Sequence, residues 1–217
     1  MPNDNICELV VVRHGQTTAN RTGILQGQLD TPLDAVGIAQ AHAIAERLKN
    51  DRFAAVYSSD LTRAMFTAQA IVSHHPELVV TPCRELREWN LGELQAQSYD
   101  DLRQKYPEIL AGFKLDSPIP AIPGGESQKD FQKRISDFME FLSCRHANER
   151  ILLVSHGGAM QRMFSHVTGM LAPGNIRPLC GNASLSVFQK RTAGWQLITW
   201  NDTSHLAAIG QHTTLTF

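Results

Sequence analysis

The stretch ILLVSHGG, residues 151–158, decides the fold. Ile151 to Val154 form an apolar run with no polar residue before Ser155, the pattern of a core strand. A histidine and two glycines follow at once, and GGAMQRMFSHVTG, 157–169, reads as a helix. The same design stands near the start of the chain, where ELVVV, 8–12, runs into Arg13, His14 and Gly15. AAVYSS, 54–59, is a further strand ending in two serines, and LVVT, 78–81, is a short one. SLSVFQK, 184–190, and WQLITW, 195–200, read as a closing hairpin.

Helical patterns separate these strands. Residues 31–50 carry apolar positions at 38, 41, 45 and 48, with Asp34 as the cap. Residues 60–75 read as a helix capped by Ser59 or Asp60, and residues 128–147 repeat apolar positions at 131, 135, 138 and 142. Short apolar strands alternating with helices predict an α/β three-layer sandwich, its central sheet mostly parallel and covered on both faces. In such sheets ligands bind beyond the carboxyl ends of the strands. The residues immediately after each strand therefore carry the functional reading.

Residues 84–127 break the alternation with REWNLGELQAQS, a short helix SYDDLRQKY, and the Pro- and Gly-rich SPIPAIPGGES. We read the chain as one domain, 1–217, with this excursion at about 84–127 forming an insertion over the site. A length of 217 residues, 42% hydrophobic and 19% charged, is ordinary for a globular protein. A net charge of -1 offers no basic field for nucleic acid or anionic lipid, so any anion site is local. MPNDNICE is polar and does not read as a signal peptide, and no apolar run approaches the roughly 18 residues of a membrane span. Cys7, Cys83, Cys144 and Cys180 show no CxxC spacing, which fits reduced thiols and a cytoplasmic location. Homodimerisation stays open at this level.

Three strand ends carry Arg13-His14-Gly15, Arg63 shortly after Ser59, and His156-Gly157-Gly158. At one edge of a sheet they would bring two histidines and two arginines into a small volume. Arginine forks match the oxygens of a phosphate or carboxylate. Gly15 and Gly157 would let the backbone approach a ligand, and a helix starting near Gly157 would add free N–H groups. A neutral imidazole at the centre of such a cluster is a nucleophile for phosphorus. The remaining requirement is a group that protonates the leaving oxygen and then activates water; a carboxyl beside a phosphate dianion suits it. Glu85, Glu88 and Glu93 are the candidates in the excursion.

RHGQT, SSDLTRA, LREWNLGEL, GGES and VSHGG together resemble the histidine phosphatase superfamily, in its phosphoglycerate-mutase-like branch. The resemblance spans roughly residues 8–206 and implies that His14 becomes a phosphohistidine held by Arg13, Arg63 and His156. It also implies that Glu88 is the proton donor and that Asn20, Gln26, Gly27 and Gly157 bind the substrate. Gln16 stands where many members have glutamate. No cofactor or metal is implied, and the expected partner is a small phosphorylated metabolite, not nucleic acid or membrane. Mutases of this superfamily usually carry a motif like ERHYG; here Trp89 and Asn90 stand where His-Tyr would be expected, and Ala64 and Met65 follow Arg63. Arg87, Arg103, Lys105 and Lys114 are the cations left for a substrate carboxylate. A phosphomonoester hydrolase is therefore expected, with a phosphoglycerate mutase as one alternative and an inactive phospho-ligand binding module as another.

Blander roles compete at several positions. Asn20 suits a turn or helix cap, and Glu88 lies beside Arg84 and Arg87 as an exposed glutamate would. Trp89, Leu94, Tyr99 and Phe113, with SPIPAIPGG, are candidates for an apolar wall, though the aromatics read first as packing. His74 and His75 sit at a polar helix end and read as solvated, and His42, His146, His166, His205 and His212 show no metal-ligand spacing. Cys144 to Arg150 fits a bare C-x5-R pattern, but it follows a helix and precedes a strand, the reverse of a phosphate-cradling loop.

Overall fold

The computed structural model describes residues 5–115, 119–170 and 178–210, without the side chains of residues 112–115. The side chains of Phe113 and Lys114, with Ser117, Pro118 and His212, lie outside the described residues. The strands are β1 (Cys7–Arg13), β2 (Ala55–Ser59), β3 (Val80–Cys83), β4 (Arg150–Ser155), β5 (Leu185–Arg191) and β6 (Gly194–Asp202). They form a six-stranded sheet in the order β3-β2-β4-β1-β5-β6. β1, β4, β2 and β3 pair in parallel, while β5 and β6 add an antiparallel hairpin beside β1. The helices are α1 (Thr18–Thr22), α2 (Ala35–Leu48), α3 (Thr62–Val72), α4 (Tyr99–Lys105), α5 (Pro107–Leu115), α6 (Gln128–Arg145) and α7 (Gly157–Thr168).

Successive strand residues point to opposite faces, so an apolar run feeds two cores at once. Val10, Val12, Leu152 and Val154 pack with Ile44 and Leu48 of α2 and Ala64, Ala68 and Ile71 of α3. Leu9, Val11, Ile151 and Leu153 pack on the other face with Phe131, Ile135, Met139 and Leu142 of α6 and Met160 and Met163 of α7. This is the expected three-layer α/β arrangement. Registers of Arg13 on Ser155 and Ser58 on Val154 bring the carboxyl ends of β1, β4 and β2 level at the centre of the sheet.

The described part of residues 84–127 is less irregular than the composition suggests. Two turns of 3-10 helix, Arg84–Leu86 and Gly92–Leu94, precede α4 and α5. Leu91, Leu94, Leu102, Ile109 and Ile122 form a small core of their own. Trp89 joins both this cluster and the α6–α7 core, stacking on Phe131 at 5.6 Å.

Three local expectations are corrected. Helix α3 starts at Thr62, and neither Ser59 nor Asp60 caps it: the carboxylate of Asp30 accepts both the backbone N–H and the hydroxyl of Thr62 at 2.7 Å. Strand β3 begins two residues later than LVVT, because its pairing with Val56 starts at Val80; Pro82 is tolerated there on an edge strand. His75 is buried rather than solvated: it packs edge-on against Phe53 and hydrogen-bonds the Leu48 carbonyl through Nε2. Asp34 caps α2 as expected, accepting from Gly37 N–H at 2.9 Å.

No described helix is long and apolar enough to cross a membrane. The four cysteines are free. Arg150 of the C-x5-R pattern is committed to the carboxylates of Glu8 and Asp51.

Phe131 links the sheet, α6 and Trp89. Phe131→Ala is expected to destabilise the protein by about 3–5 kcal/mol. Urea unfolding of the two forms would measure it; a loss under about 1 kcal/mol would contradict this account of the core.

Candidate active site

The parallel pairing of β1 with β4 places their polar ends side by side, and His14 N–H donates to the Ser155 carbonyl at 3.0 Å. The rings of His14 and His156 meet edge to face, 5.0 Å between centroids. Arg63, in the first turn of α3 after β2, donates through Nε to His14 Nε2 at 3.3 Å. Arg13, His14, Arg63 and His156 are 8%, 3%, 1% and 0% exposed, so the whole cluster is withdrawn from bulk water.

Burial of this kind demands partners for each polar atom. Arg63 finds them in the chain: Nη1 donates to the Leu29 carbonyl at 2.7 Å and Nη2 to the Gly27 carbonyl at 2.8 Å. Desolvation brings its pKa down to about 10, opposed by the charges of Glu88 and Asp30, so it is a cation at neutral pH. His14 Nδ1 donates to the Gly15 carbonyl at 2.6 Å, so Nε2 carries the lone pair, which faces Arg63 Nε. Burial first, then the charges of Arg63 and Arg13, hold the His14 pKa well below 6.5. His156 is depressed in the same way, by burial and then Arg63, His14 and Arg13.

Ser59 fixes the second imidazole. Its Oγ accepts from Leu61 N–H at 3.4 Å, and we assign its own hydrogen to His156 Nε2 at 2.8 Å. The His156 proton then sits on Nδ1, which is buried without a partner among the described residues, as is Arg13 Nε. Arg13 Nη1 donates to the Cys180 carbonyl. Two buried N–H donors thus await an acceptor beside a neutral imidazole and a buried guanidinium, an arrangement that fits a phosphoryl group. Among the described residues no three His, Cys, Asp or Glu side chains stand together as a metal-binding group.

Of the three glutamate candidates, Glu88 is the one drawn to this cluster. Its Oε2 accepts from Gly158 N–H at the start of α7 (2.9 Å) and its Oε1 from Trp89 N–H (2.8 Å). Glu93 instead faces the Tyr106 hydroxyl at 3.4 Å. Asn20 lies inside α1 as the partner of the cap Thr17 in a capping box, and its Oδ1, which accepts from Thr17 N–H, also accepts from Asn182 Nδ2, which donates to the His14 carbonyl as well. It therefore borders the cluster. Gln26 Oε1 accepts from the hydroxyls of Thr17 and Thr31. Gly27 contributes a carbonyl to Arg63.

The two strand-end glycines differ from expectation. A Cβ at Gly15 would lie 2.2 Å from the Gly37 carbonyl oxygen, so the missing side chain accommodates α2 and not a ligand. A Cβ at Gly157 would lie 3.3 Å from Arg13 Nε, so that glycine makes room for the guanidinium. Ser59, Asn182 and Thr67, whose Oγ1 accepts from Gly15 N–H, escaped the sequence reading. Ser59 had a signal, its place at a strand end; the other two have none without the fold.

A family model described as the histidine phosphatase superfamily (branch 1) matches residues 9–203. The chain belongs to the histidine phosphatase superfamily. The resemblance carried by RHG and SHGG is borne out. A metal-independent phosphoserine phosphatase of Arabidopsis thaliana is 38% identical over 94% of this chain and 85% of its own length. A Yersinia pestis protein named probable phosphoglycerate mutase GpmB is 33% identical over 92% of this chain and 94% of its own. A solved phosphoserine phosphatase from Entamoeba histolytica, a histidine-to-alanine mutant in complex with phosphoserine, superimposes with a TM-score of 0.78 at 27% identity, covering 92% of this chain and 99% of that one.

The buried imidazoles of this histidine phosphatase set a pH dependence of stability. In the unfolded chain both take up protons near their ordinary value of 6.5, whereas in the fold both stay neutral to lower pH. The unfolded state then binds more protons below that value, so stability is lost as pH falls. The expected loss is about 1.4 kcal/mol per pH unit for each ring. Denaturant unfolding at pH 7, 6 and 5 measures the slope; His156→Asn should flatten it, and an unchanged slope would contradict the burial argument.

Proposed function

We propose that the protein is a metal-independent phosphomonoester hydrolase working through a phosphohistidine at His14. The observation that carries this reading is the neutral His14 Nε2, facing Arg63 Nε, with Arg13 Nε and His156 Nδ1 buried beside it and without a partner among the described residues. Such donors favour charge on the equatorial phosphoryl oxygens, where it develops in the transition state.

In the first step His14 Nε2 attacks phosphorus and the P–O bond to the leaving group breaks. Glu88 gives that oxygen its proton. Arg13, Arg63 and His156 hold the phosphoryl oxygens, and Asn20, Gln26, Gly27 and Gly157 belong to the surrounding pocket. In the second step Glu88, now a carboxylate, takes a proton from water as the water oxygen attacks phosphorus. The P–N bond breaks, phosphate leaves, and His14 is neutral again.

The substrate is a small phosphorylated metabolite, and phosphoserine is the first to test, given the two relatives named for it. Residues 84–127 act as the lid that sets specificity; their own apolar cluster supports this role. The free cysteines suit the reducing cytoplasm. The runner-up is phosphoryl transfer between hydroxyls, favoured by the mutase-named relative. Against it, Trp89 stands in place of the mutase motif and is engaged in packing, stacked on Phe131 with Nε1 donating to the Glu126 carbonyl.

Turnover of phosphoserine should release phosphate in the presence of chelator, and an alkaline quench should trap an acid-labile, alkali-stable phosphate on His14. With 3-phosphoglycerate, primer-dependent formation of 2-phosphoglycerate with little free phosphate would overturn the hydrolase reading. His14→Ala should abolish turnover. A wild type that binds phosphate but releases none from p-nitrophenyl phosphate would point to a binding module instead.

Glu88→Gln is expected to slow phosphoserine by about 10²–10⁴-fold, the usual contribution of a general acid. The loss on p-nitrophenyl phosphate should be much smaller, because p-nitrophenolate needs little protonation. Equal losses would remove Glu88 from the acid role.

A further inference from the structure

Glu88 has no secondary structure of its own. It follows the 3-10 turn Arg84–Leu86 and precedes a loop, so the N–H groups of Gly158 and Trp89 can hold its carboxylate in place only if that backbone is itself fixed. The backbone is gripped from outside by Arg134, in the second turn of α6. Arg134 Nη1 donates to the carbonyls of Glu85 (2.7 Å) and Arg87 (3.0 Å), and Nη2 to the carbonyl of Glu88 (3.3 Å). The remaining fork, Nε with Nη2, meets both oxygens of Glu126 at 2.9 and 2.8 Å.

Glu126 belongs to the GGES turn, whose backbone is tied to the loop after Glu88. Glu126 N–H donates to the Asn90 carbonyl at 2.9 Å, and the Glu126 carbonyl accepts from Trp89 Nε1 at 2.8 Å. The guanidinium also lies over the Phe131 ring at 5.0 Å, on which Trp89 stacks. One planar cation therefore fixes the carbonyls before Glu88, the ring after it and the turn across from it. A lysine ammonium cannot span three carbonyls and a bidentate carboxylate at once.

We propose that Arg134, locked by Glu126, is the positioning residue that aims the Glu88 carboxyl at the leaving-group oxygen. Arg134 touches no reacting atom; it acts through Glu88. The inference rests on Glu88 being the acid–base group of the proposed function. A catalytic group displaced by about 1 Å costs on the order of 10²-fold in rate. That loss falls on the step needing a proton, while the cation cluster at His14 stays intact.

The test compares Arg134→Leu, Arg134→Lys, Glu126→Gln and Glu88→Gln with wild type. The readouts are kcat and KM for phosphoserine and p-nitrophenyl phosphate, the affinity for orthovanadate, and the melting temperature. Both Arg134 variants are expected to lose about 10–10²-fold in kcat on phosphoserine and only a few-fold on p-nitrophenyl phosphate. Vanadate affinity should stay within about threefold, because its ligands are untouched. Glu126→Gln should show the same selectivity in weaker form.

Equal losses on both substrates, no loss, or a vanadate affinity falling in parallel would overturn the inference while leaving the role of Glu88 intact. If Glu88→Gln itself shows no leaving-group selectivity, the acid assignment fails and the inference falls with it. Should Arg134→Leu not fold, Arg134→Lys and Glu126→Gln decide by the same criteria.

Discussion

A guanidinium taken out of water is tolerated only where the protein supplies acceptors for it, and Arg63 states the terms on which this molecule is built. It is almost wholly buried, and its donors are met by two carbonyls of the 27–29 loop and by the lone pair of His14. The loop, the start of α3 and the end of β1 are therefore one object. Asp30 completes it from the same loop, capping α3 at Thr62 and offsetting the desolvation of Arg63. Removing any one part would leave a buried charge short of a partner, and such losses are large.

Arg13 and His156 are treated differently. Each is held at one side, by the Cys180 carbonyl and by Ser59, and each keeps a buried N–H with nothing in the chain to accept it among the described residues. Native proteins rarely leave such groups unsatisfied, and where they do the reason is often functional. An arriving phosphoryl group would supply the missing acceptors. Pre-oriented donors of this kind need no rearrangement as charge develops on the oxygens.

Much of this was legible in the sequence because the signals are local. ELVVV and ILLVS announce strands by unbroken apolar runs, and Asp34 announces α2 by its place before the helical stripe. The meeting of RHG with SHGG follows once both strands are parallel neighbours. What stayed hidden depends on contacts between distant residues. Asp30 caps a helix 32 positions away, and His75 is buried because Phe53 and Leu48 lie beneath it. Asn182 reaches His14 only because β5 runs antiparallel beside β1. Residues 84–127 looked irregular because Leu91, Leu94, Leu102, Ile109 and Ile122 meet across one 3-10 turn, two helices and a loop, with no single period to reveal them.

The paired glycines of SHGG show how the two chemical tasks are kept in register. A Cβ on Gly157 would press on the guanidinium of Arg13, and one on Gly158 would stand 2.3 Å from Glu88 Oε1. The N-terminus of α7 thus meets Arg13 at its first residue and Glu88 at its second, where Gly158 N–H holds Glu88 Oε2. Both groups are referenced to one rigid helix, which follows β4 through His156 alone. Their separation is then set by backbone geometry rather than by two independent loops. In the proposed reaction, whose catalysis is mostly positioning, that shared reference would let an acid carried on a loop serve a site built on strand ends.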